Sequence, residues 1–277
     1  RSDRKRDAGL TTPDDITRID NIVYGRNPKI QTLDIYYPKG TDRPLPVIVN
    51  VHGGGYVYGS TKVYQFYCMN LAQRGFTVVS FNYHLAPDCK FPSPLKDLNI
   101  VMKWMTRHRE EYFMDLRRVL LFGDSAGAQL ASQYAVIATN PEYAEIMGIR
   151  PSKIRFSGLG LNCGMYDLPK ILFSKNESRS LLRNYFTGNP RKWGEMLNVT
   201  DYITKDYPPV YLMTSEGDFL KEHCRPMYDL LIDRGVPATY KIYGDESTLH
   251  VFHVDIKTEL AKTANDEEIQ YLSRFFP

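Results

Sequence analysis

"LLFGDSAGAQLA", residues 120–131, sets an apolar run, a Gly-Asp-Ser-Ala-Gly knot and a helix-forming stretch end to end. Two readings of Ser125 start from it. Serine is a preferred helix N-cap, and a glycine-rich turn between strand and helix is ordinary α/β architecture. The sharper reading is a nucleophile elbow, G-x-S-x-G. There Gly123 and Gly127 keep side chains out of a tight strand-to-helix turn from which Ser125 projects its hydroxyl. The choice rests on whether the chain supplies a base, an acid and an oxyanion hole in compatible places.

Working outward, strands alternate with helices. Residues 19–25 and 31–38 are β-rich and separated by an Arg-Asn-Pro turn, which reads as an antiparallel hairpin. Residues 46–52 ("PVIVNVH") read as a buried strand and 62–74 as a helix stopped by Gly75. A strand at 77–83 is followed by a helix carrying Leu95, Leu98, Met102 and Met105 on one face. Strands follow at "RVLLFG" ending in Gly123, then at 153–161, 209–215 and 238–244. A final helix is expected from Asn265, with Glu268 three residues on in a spacing like a capping box. Such alternation predicts an α/β fold: a mostly parallel central sheet of about eight strands flanked by helices, with its site at the strands' C-terminal ends.

One domain spanning residues 1–277 fits the length, the 43% hydrophobic and the 24% charged content. Residues 165–207 stand outside the strand–helix rhythm. They include an expected helix over 178–186 with Leu181, Leu182, Tyr185 and Phe186 on an apolar face. This insertion is expected to form a small helical cap or lid, joined by the N-terminal segment 1–18.

The net charge of +3 is slight, and no basic cluster interleaved with aromatics lies beyond the first six residues, so nucleic acid is a poor partner. The opening "RSDRKRD" lacks an apolar core and reads as a processed, trimmed or flexible end, and the longest apolar runs are strand-sized, which argues against a membrane span. The expected compartment is the cytoplasm, with a homodimer left open. Cys68, Cys89, Cys163 and Cys224 lack C-x-x-C spacing and read as buried free thiols, so no metal site is expected. The sequons at Asn176 and Asn198 carry little weight.

Directly after the 46–52 strand comes "HGGGYVYG", residues 52–59. Three consecutive glycines suit a backbone that approaches a ligand and turns its N–H groups toward it. Attack on an ester carbonyl builds negative charge on oxygen, and each preplaced donor stabilises it by about 3 kcal/mol. Gly54, Gly55 and Ala126 are the candidate donors.

Ser125 needs a base, being a weak nucleophile near neutral pH. His52 belongs to the oxyanion loop and is expected to hold its shape. His84, His108 and His223 lie in or beside helices and read as structural or surface residues. That leaves His250 and His253 in "STLHVFHVD", after the last strand, in the chain order Ser, acid, His. The acid is expected at Asp218, at the end of the preceding strand in a turn marked by Gly217, rather than at Glu216.

Together "HGGGYVYG", "NYHLAPDCKFPSPLKD" (82–97), "GDSAGAQLA", "GDFL" (217–220) and "HVF" (250–252) resemble the hormone-sensitive-lipase family of α/β-hydrolases, the bacterial family IV esterases. The resemblance covers most of the chain. It implies a capped α/β-hydrolase fold and a cofactor-free serine carboxylesterase mechanism on a small-molecule ester. It places the base at the His-x-Phe position, which selects His250, and matches Gly54, Gly55 and Ala126 to the family's oxyanion donors. The chain departs from the family at His84 (usually Arg), at Asp88 (usually Glu), in a longer Gly-to-His step before His250, and at Pro226, which is expected to interrupt the helix after Asp218.

The expected substrates are short-chain acyl or aryl esters. Tyr56 and Tyr58, beside the oxyanion loop, are candidates for an aromatic substrate pocket, and acetyl or feruloyl groups on plant carbohydrate are a variant. Related folds include amidases, a dehydratase and non-hydrolytic receptors for small ligands. The presence of His250 with Ser125 and Asp218 argues against a receptor. No metal, nucleotide or flavin is required, and the glycine loop lacks the Lys-Ser/Thr ending of a phosphate cradle.

Overall fold

In the computed structural model, which describes residues 2–173, 179–186 and 189–277, a short helix α1 (Ser2–Arg6) precedes the expected hairpin of β1 (Ile16–Val23) and β2 (Thr32–Pro38). Alternation then sets in: β3 (Leu45–Val51), α2 (Thr61–Ala72), β4 (Thr77–Phe81), α3 (Ser93–His108), β5 (Met114–Asp124), α4 (Ala126–Thr139), α5 (Pro141–Met147) and β6 (Phe156–Asn162). After an insertion holding α6 (Leu168–Phe173) and α7 (Arg179–Leu182), it resumes with β7 (Val210–Ser215), α8 (Cys224–Asp233), β8 (Ala238–Tyr243) and α9 (Glu259–Ser273).

The strands form one eight-stranded sheet in the order β1-β2-β4-β3-β5-β6-β7-β8. β1–β2 and β2–β4 pair antiparallel; every pair from β4–β3 to β7–β8 is parallel. A parallel sheet hides both faces, and the side-chain period of two divides each strand between them. Val47, Val49 and Val51 of β3 join Val119 and Leu121 of β5 in the core beneath α3 and α4. Ile48, Leu120 and Phe122 face the opposite core, beneath α2 and α9. Burying each such side chain contributes about 1.5–3 kcal/mol. The apolar face expected on α3 is fully realised, since Leu95, Leu98, Met102 and Met105 are all buried.

Four expectations are corrected. Asn265 and Glu268 do not start the last helix. α9 begins at Glu259, and Thr258 caps it by accepting the Ala261 N–H, while Asn265 and Glu268 are completely buried within it. Their polarity imitated a cap because three-residue spacing also defines one helix face. Pro226 does not interrupt α8 but sits in its first turn, where a missing N–H costs nothing. The helix expected over 178–186 is confined to Arg179–Leu182 among the described residues; Tyr185 and Phe186 lie beyond it, buried. The charged opening is partly ordered as α1, tied down where Asp3 accepts the Tyr58 hydroxyl and Arg6 donates to the Val63 carbonyl. Ser178 and the Asn176 sequon lie outside the described residues. No helix among the described residues is long and apolar enough to cross a membrane.

Candidate active site

Ser125 stands alone between the end of β5 and the start of α4, with φ 53° and ψ −120°, a conformation a non-glycine residue rarely adopts. Its side chain makes no capping bond, so the N-cap reading of the opening stretch falls. The flanking glycines are required by close approach. A Cβ on Gly127 would lie 2.0 Å from the Val51 carbonyl oxygen, and one on Gly123 would lie 2.4 Å from that of Gly127. The Ser125 N–H donates to the Asn162 carbonyl at 2.9 Å, pinning the turn to the neighbouring strand β6.

Two strands further along the sheet, Asp218 follows β7, and its carboxylate accepts three hydrogen bonds. Oδ1 accepts from His250 Nδ1 at 2.7 Å and from the Leu220 N–H at 2.9 Å, and Oδ2 accepts from the Thr214 hydroxyl at 2.8 Å. Burial alone would push the carboxyl up, but these bonds, the His250 bond foremost, hold it below the usual carboxylate range. Glu216 instead pairs with Lys221 near the surface, as the preference for Asp218 requires. The long Gly-to-His step is absorbed in a turn. The Thr248 N–H returns to the Asp245 carbonyl, and the Thr248 carbonyl accepts the Gly217 N–H at 3.0 Å, so the loop delivers His250 to Asp218.

His253 is buried, its ring edge against Tyr67 and its carbonyl accepting the Asn265 amide. Burial lowers its imidazole to about 3, so it stays neutral and apart from the acid. His52 likewise is neutral, lowered by burial to about 4. It stacks on Tyr83 at 4.2 Å, bonds Gly53 O through Nδ1, and receives the Tyr83 hydroxyl on its carbonyl. It braces the loop, as expected. His84, where the chain departs from the family, bonds through Nδ1 to Asp97 Oδ2 at 2.7 Å, while Gln31 holds the other Asp97 oxygen.

Gly54, Gly55 and Tyr56 take φ of 116°, 58° and 65° in succession. The loop closes on itself when the Gly54 carbonyl accepts the Val57 and Tyr58 N–H groups. Among the described residues no acceptor takes the Gly54, Gly55 or Ala126 N–H, the property an oxyanion donor needs. A Tyr64 link on α2 was not legible in the sequence. The Tyr64 hydroxyl donates to Asp124 Oδ2 at 2.7 Å and accepts the Gly53 N–H at 3.1 Å, joining the glycine loop to the residue before Ser125. Sixty residues separate the partners, and no local pattern marks such a bond.

The pocket expectation for Tyr56 is corrected. Tyr56 is completely buried, stacked on Tyr185 of the insertion at 4.1 Å, with its hydroxyl on Gln129. Tyr58 remains exposed and hydrogen-bonds Asp3. Beside His250, the exposed Phe219 ring lies 4.4 Å away. A cavity of about 530 Å³ is lined by His250, Leu249, Phe252 and the α1 residues Asp3 and Arg6. The cysteines are all free, and Cys68, Cys163 and Cys224 are buried as expected. Chain spacing hid one proximity: Cys163, Asp218 and His250 bring potential ligand atoms within 4.8 Å of one another.

Residues 48–254 match the Abhydrolase_3 family, described as an alpha/beta hydrolase fold. The chain is 27% identical over 262 residues to an acetyl esterase of Salmonella schwarzengrund (strain CVM19633), covering 88% of this chain and 75% of the relative. Esterase B from Lactobacillus rhamnosis, in a crystal structure with an inhibitor, superposes with a TM-score of 0.90 at 26% identity, over 99% of this chain and 92% of that one. An esterase of Pyrobaculum calidifontis shares the fold at a TM-score of 0.76 and 22% identity, over 100% of this chain and 90% of its own. A family match over most of the chain, on the sheet order and elbow described above, means that this protein belongs to the Abhydrolase_3 family of α/β-hydrolases.

Proposed function

We propose that this protein is a serine carboxylesterase that cleaves short-chain acyl esters through a covalent acyl-enzyme, with Ser125 as nucleophile, His250 as base and Asp218 as its orienting acid. The observation that carries the reading is the 2.7 Å bond from His250 Nδ1 to an Asp218 held by two further donors, together with a serine at a strained elbow after β5, two strands away in the sheet. With Nδ1–H bound to Asp218, the lone pair of Nε2 is left to take the Ser125 proton. The freed oxygen attacks the ester carbonyl. The Gly54, Gly55 and Ala126 amides stabilise the charge that forms on the carbonyl oxygen, and the imidazolium returns its proton to the leaving alcohol. Water repeats the sequence on the acyl-enzyme.

The short acyl preference is supported by the relatives named acetyl esterases. An aromatic pocket for feruloyl groups loses support with the burial of Tyr56. The described part of the insertion at 165–207 acts as the cap, fixed to the oxyanion loop by the Tyr56–Tyr185 stack, while α1 is tied to Tyr58 of that loop and to Val63 of α2. The cytoplasm and a homodimer are carried forward as the compartment and assembly to be checked by fractionation and sedimentation.

The deciding experiment is hydrolysis of p-nitrophenyl acetate, butyrate, octanoate and ferulate by the wild type and Ser125→Ala. Turnover that falls with acyl length and vanishes in a folded Ser125→Ala is the expected result. Undiminished turnover in a pure variant sample overturns the assignment of Ser125, and a folded wild type inactive on all four esters overturns the esterase reading.

A further inference from the structure

We propose that Cys163, Asp218 and His250 form an inhibitory binding site for one thiophilic divalent cation, Zn²⁺ or Cd²⁺, built onto the acid–base pair of the esterase. The inhibitory consequence rests on the function proposed above; the binding does not.

The ligand set is one sulfur, one nitrogen and one oxygen, all within 4.8 Å of one another. Around a tetrahedral zinc ion, ordinary bond lengths put such atoms about 3.3–3.6 Å apart. The Asp218–His250 pair, now 2.7 Å apart, must therefore open slightly and give up the hydrogen bond between them, a movement on the scale of side-chain rotation. Cys163 is held where it must be. It lies directly after β6 with φ 50°, and its N–H is fixed to the Met213 carbonyl of β7 at 2.7 Å. The approach is through His250, whose side chain is 19% exposed and lines the cavity beside α1.

Proton accounting explains the inhibition. In the resting site Nδ1 carries the hydrogen that it donates to Asp218, so an ion at Nδ1 requires the imidazole hydrogen to move to Nε2. The Cys163 thiol loses its proton to solvent, one per ion bound. With Nε2 protonated and Asp218 turned to the metal, no lone pair faces Ser125. A donor set with one sulfur and one nitrogen selects Zn²⁺ or Cd²⁺ over Mg²⁺ or Ca²⁺, which take oxygen ligands.

The test titrates the protein with Cd²⁺ while recording two signals: the ultraviolet thiolate-to-cadmium charge-transfer band, and hydrolysis of p-nitrophenyl acetate. The expected result is a band that saturates at one equivalent, with inhibition that a chelator reverses and Mg²⁺ does not reproduce. In Cys163→Ser and Cys163→Ala the band disappears, and half-inhibition, scaled to each variant's own metal-free rate, needs at least about tenfold more Cd²⁺. Cys89→Ser, which alters the one cysteine that is not buried, leaves both signals in place. The proposal is overturned if the wild type shows no band, if the band follows Cys89, or if Cys163→Ser is inhibited at the wild-type concentration. Cadmium NMR of the wild type decides without any substitution: a resonance typical of all-oxygen coordination overturns the proposal, and one typical of mixed sulfur, nitrogen and oxygen supports it. A chain that binds Cd²⁺ through Cys163 yet hydrolyses no ester would sink the esterase reading and leave the ion site standing.

Discussion

The Tyr64 hydroxyl donates to Asp124 at 2.7 Å while accepting the Gly53 N–H, so one phenol spans the glycine loop and the turn that carries Ser125. Both partners are buried, and burial raises the Asp124 carboxyl to about 6 even with the Tyr64 bond working against it. Removing the phenol oxygen would leave a buried acceptor and a buried amide without a partner. Such orphaned groups cost about 1–3 kcal/mol.

Tyr64→Phe is therefore expected to lower Tm by several degrees and to reduce kcat about tenfold or more with KM little changed, because the proposed loop donors would act on the transition state. Steady-state kinetics with a short-chain ester, beside a thermal melt, checks it. A kcat equal to that of the wild type would mean that the glycine loop holds its shape without this bond.

His250 and His253 lie three residues apart and are expected to separate cleanly. His250→Ala removes the proposed base and should cost at least about a thousandfold in kcat with a modest change in Tm. His253→Ala leaves a void under Tyr67 and should cost about 2–5 kcal/mol of stability, while the folded fraction keeps turnover within about tenfold. Melting curves and rates on both variants give the ranking. The reverse order would move the base to His253.

The elements that carry the site were legible because each is written locally. The elbow, the triple glycine and the two loops after β7 and β8 join strand, turn and chemistry within a dozen residues, and the sheet follows from apolar runs of strand length. What escaped has partners far away in the chain. Tyr64 meets Asp124 across sixty residues, Cys163 meets Asp218 across fifty-five, and Tyr56 is covered by Tyr185 of the insertion. Glu268 misled for another reason: a polar residue at three-residue spacing signals a cap only if it faces out, and this one faces the core.

Burial pushes the Glu268 carboxyl up to about 8, against weaker opposition from Asn162 and Arg74. Between about 4.5, its ordinary value, and about 8 the folded chain holds a proton there that the unfolded chain has released. Stability linked to this group is therefore full below about 4.5 and declines as pH rises toward 8. Asp124 adds a decline of the same sign over a lower window, from 3.8 to about 6. Glu268→Gln should remove the upper decline, so that the variant gains on the wild type by an amount on the order of a few kcal/mol at pH 8 and little at pH 5. Denaturant melts at the two pH values check it, and a gap between variant and wild type that does not widen with pH would count against a protonated Glu268.

Two glycines with positive φ separate backbone strain from loss of function. Gly40 has φ 80° with nothing within 4 Å of an added Cβ, whereas Gly54 has φ 116° and its Cβ would lie 2.1 Å from the Tyr58 carbonyl oxygen. Gly40→Ala should cost about 1–2 kcal/mol, the strain of the left-handed region, and leave kcat unchanged. In Gly54→Ala the same strain is joined by a collision inside the loop that aims the Gly54 and Gly55 amides, so the donors shift from the carbonyl oxygen of the substrate. A loss of about a hundredfold to a thousandfold in kcat is expected, the effect of removing one such donor, together with weaker binding of a tetrahedral phosphonate inhibitor. If Gly54→Ala lost no more activity than Gly40→Ala, the oxyanion would have to be stabilised elsewhere, and the roles given to Gly54 and Gly55 would pass to other amides.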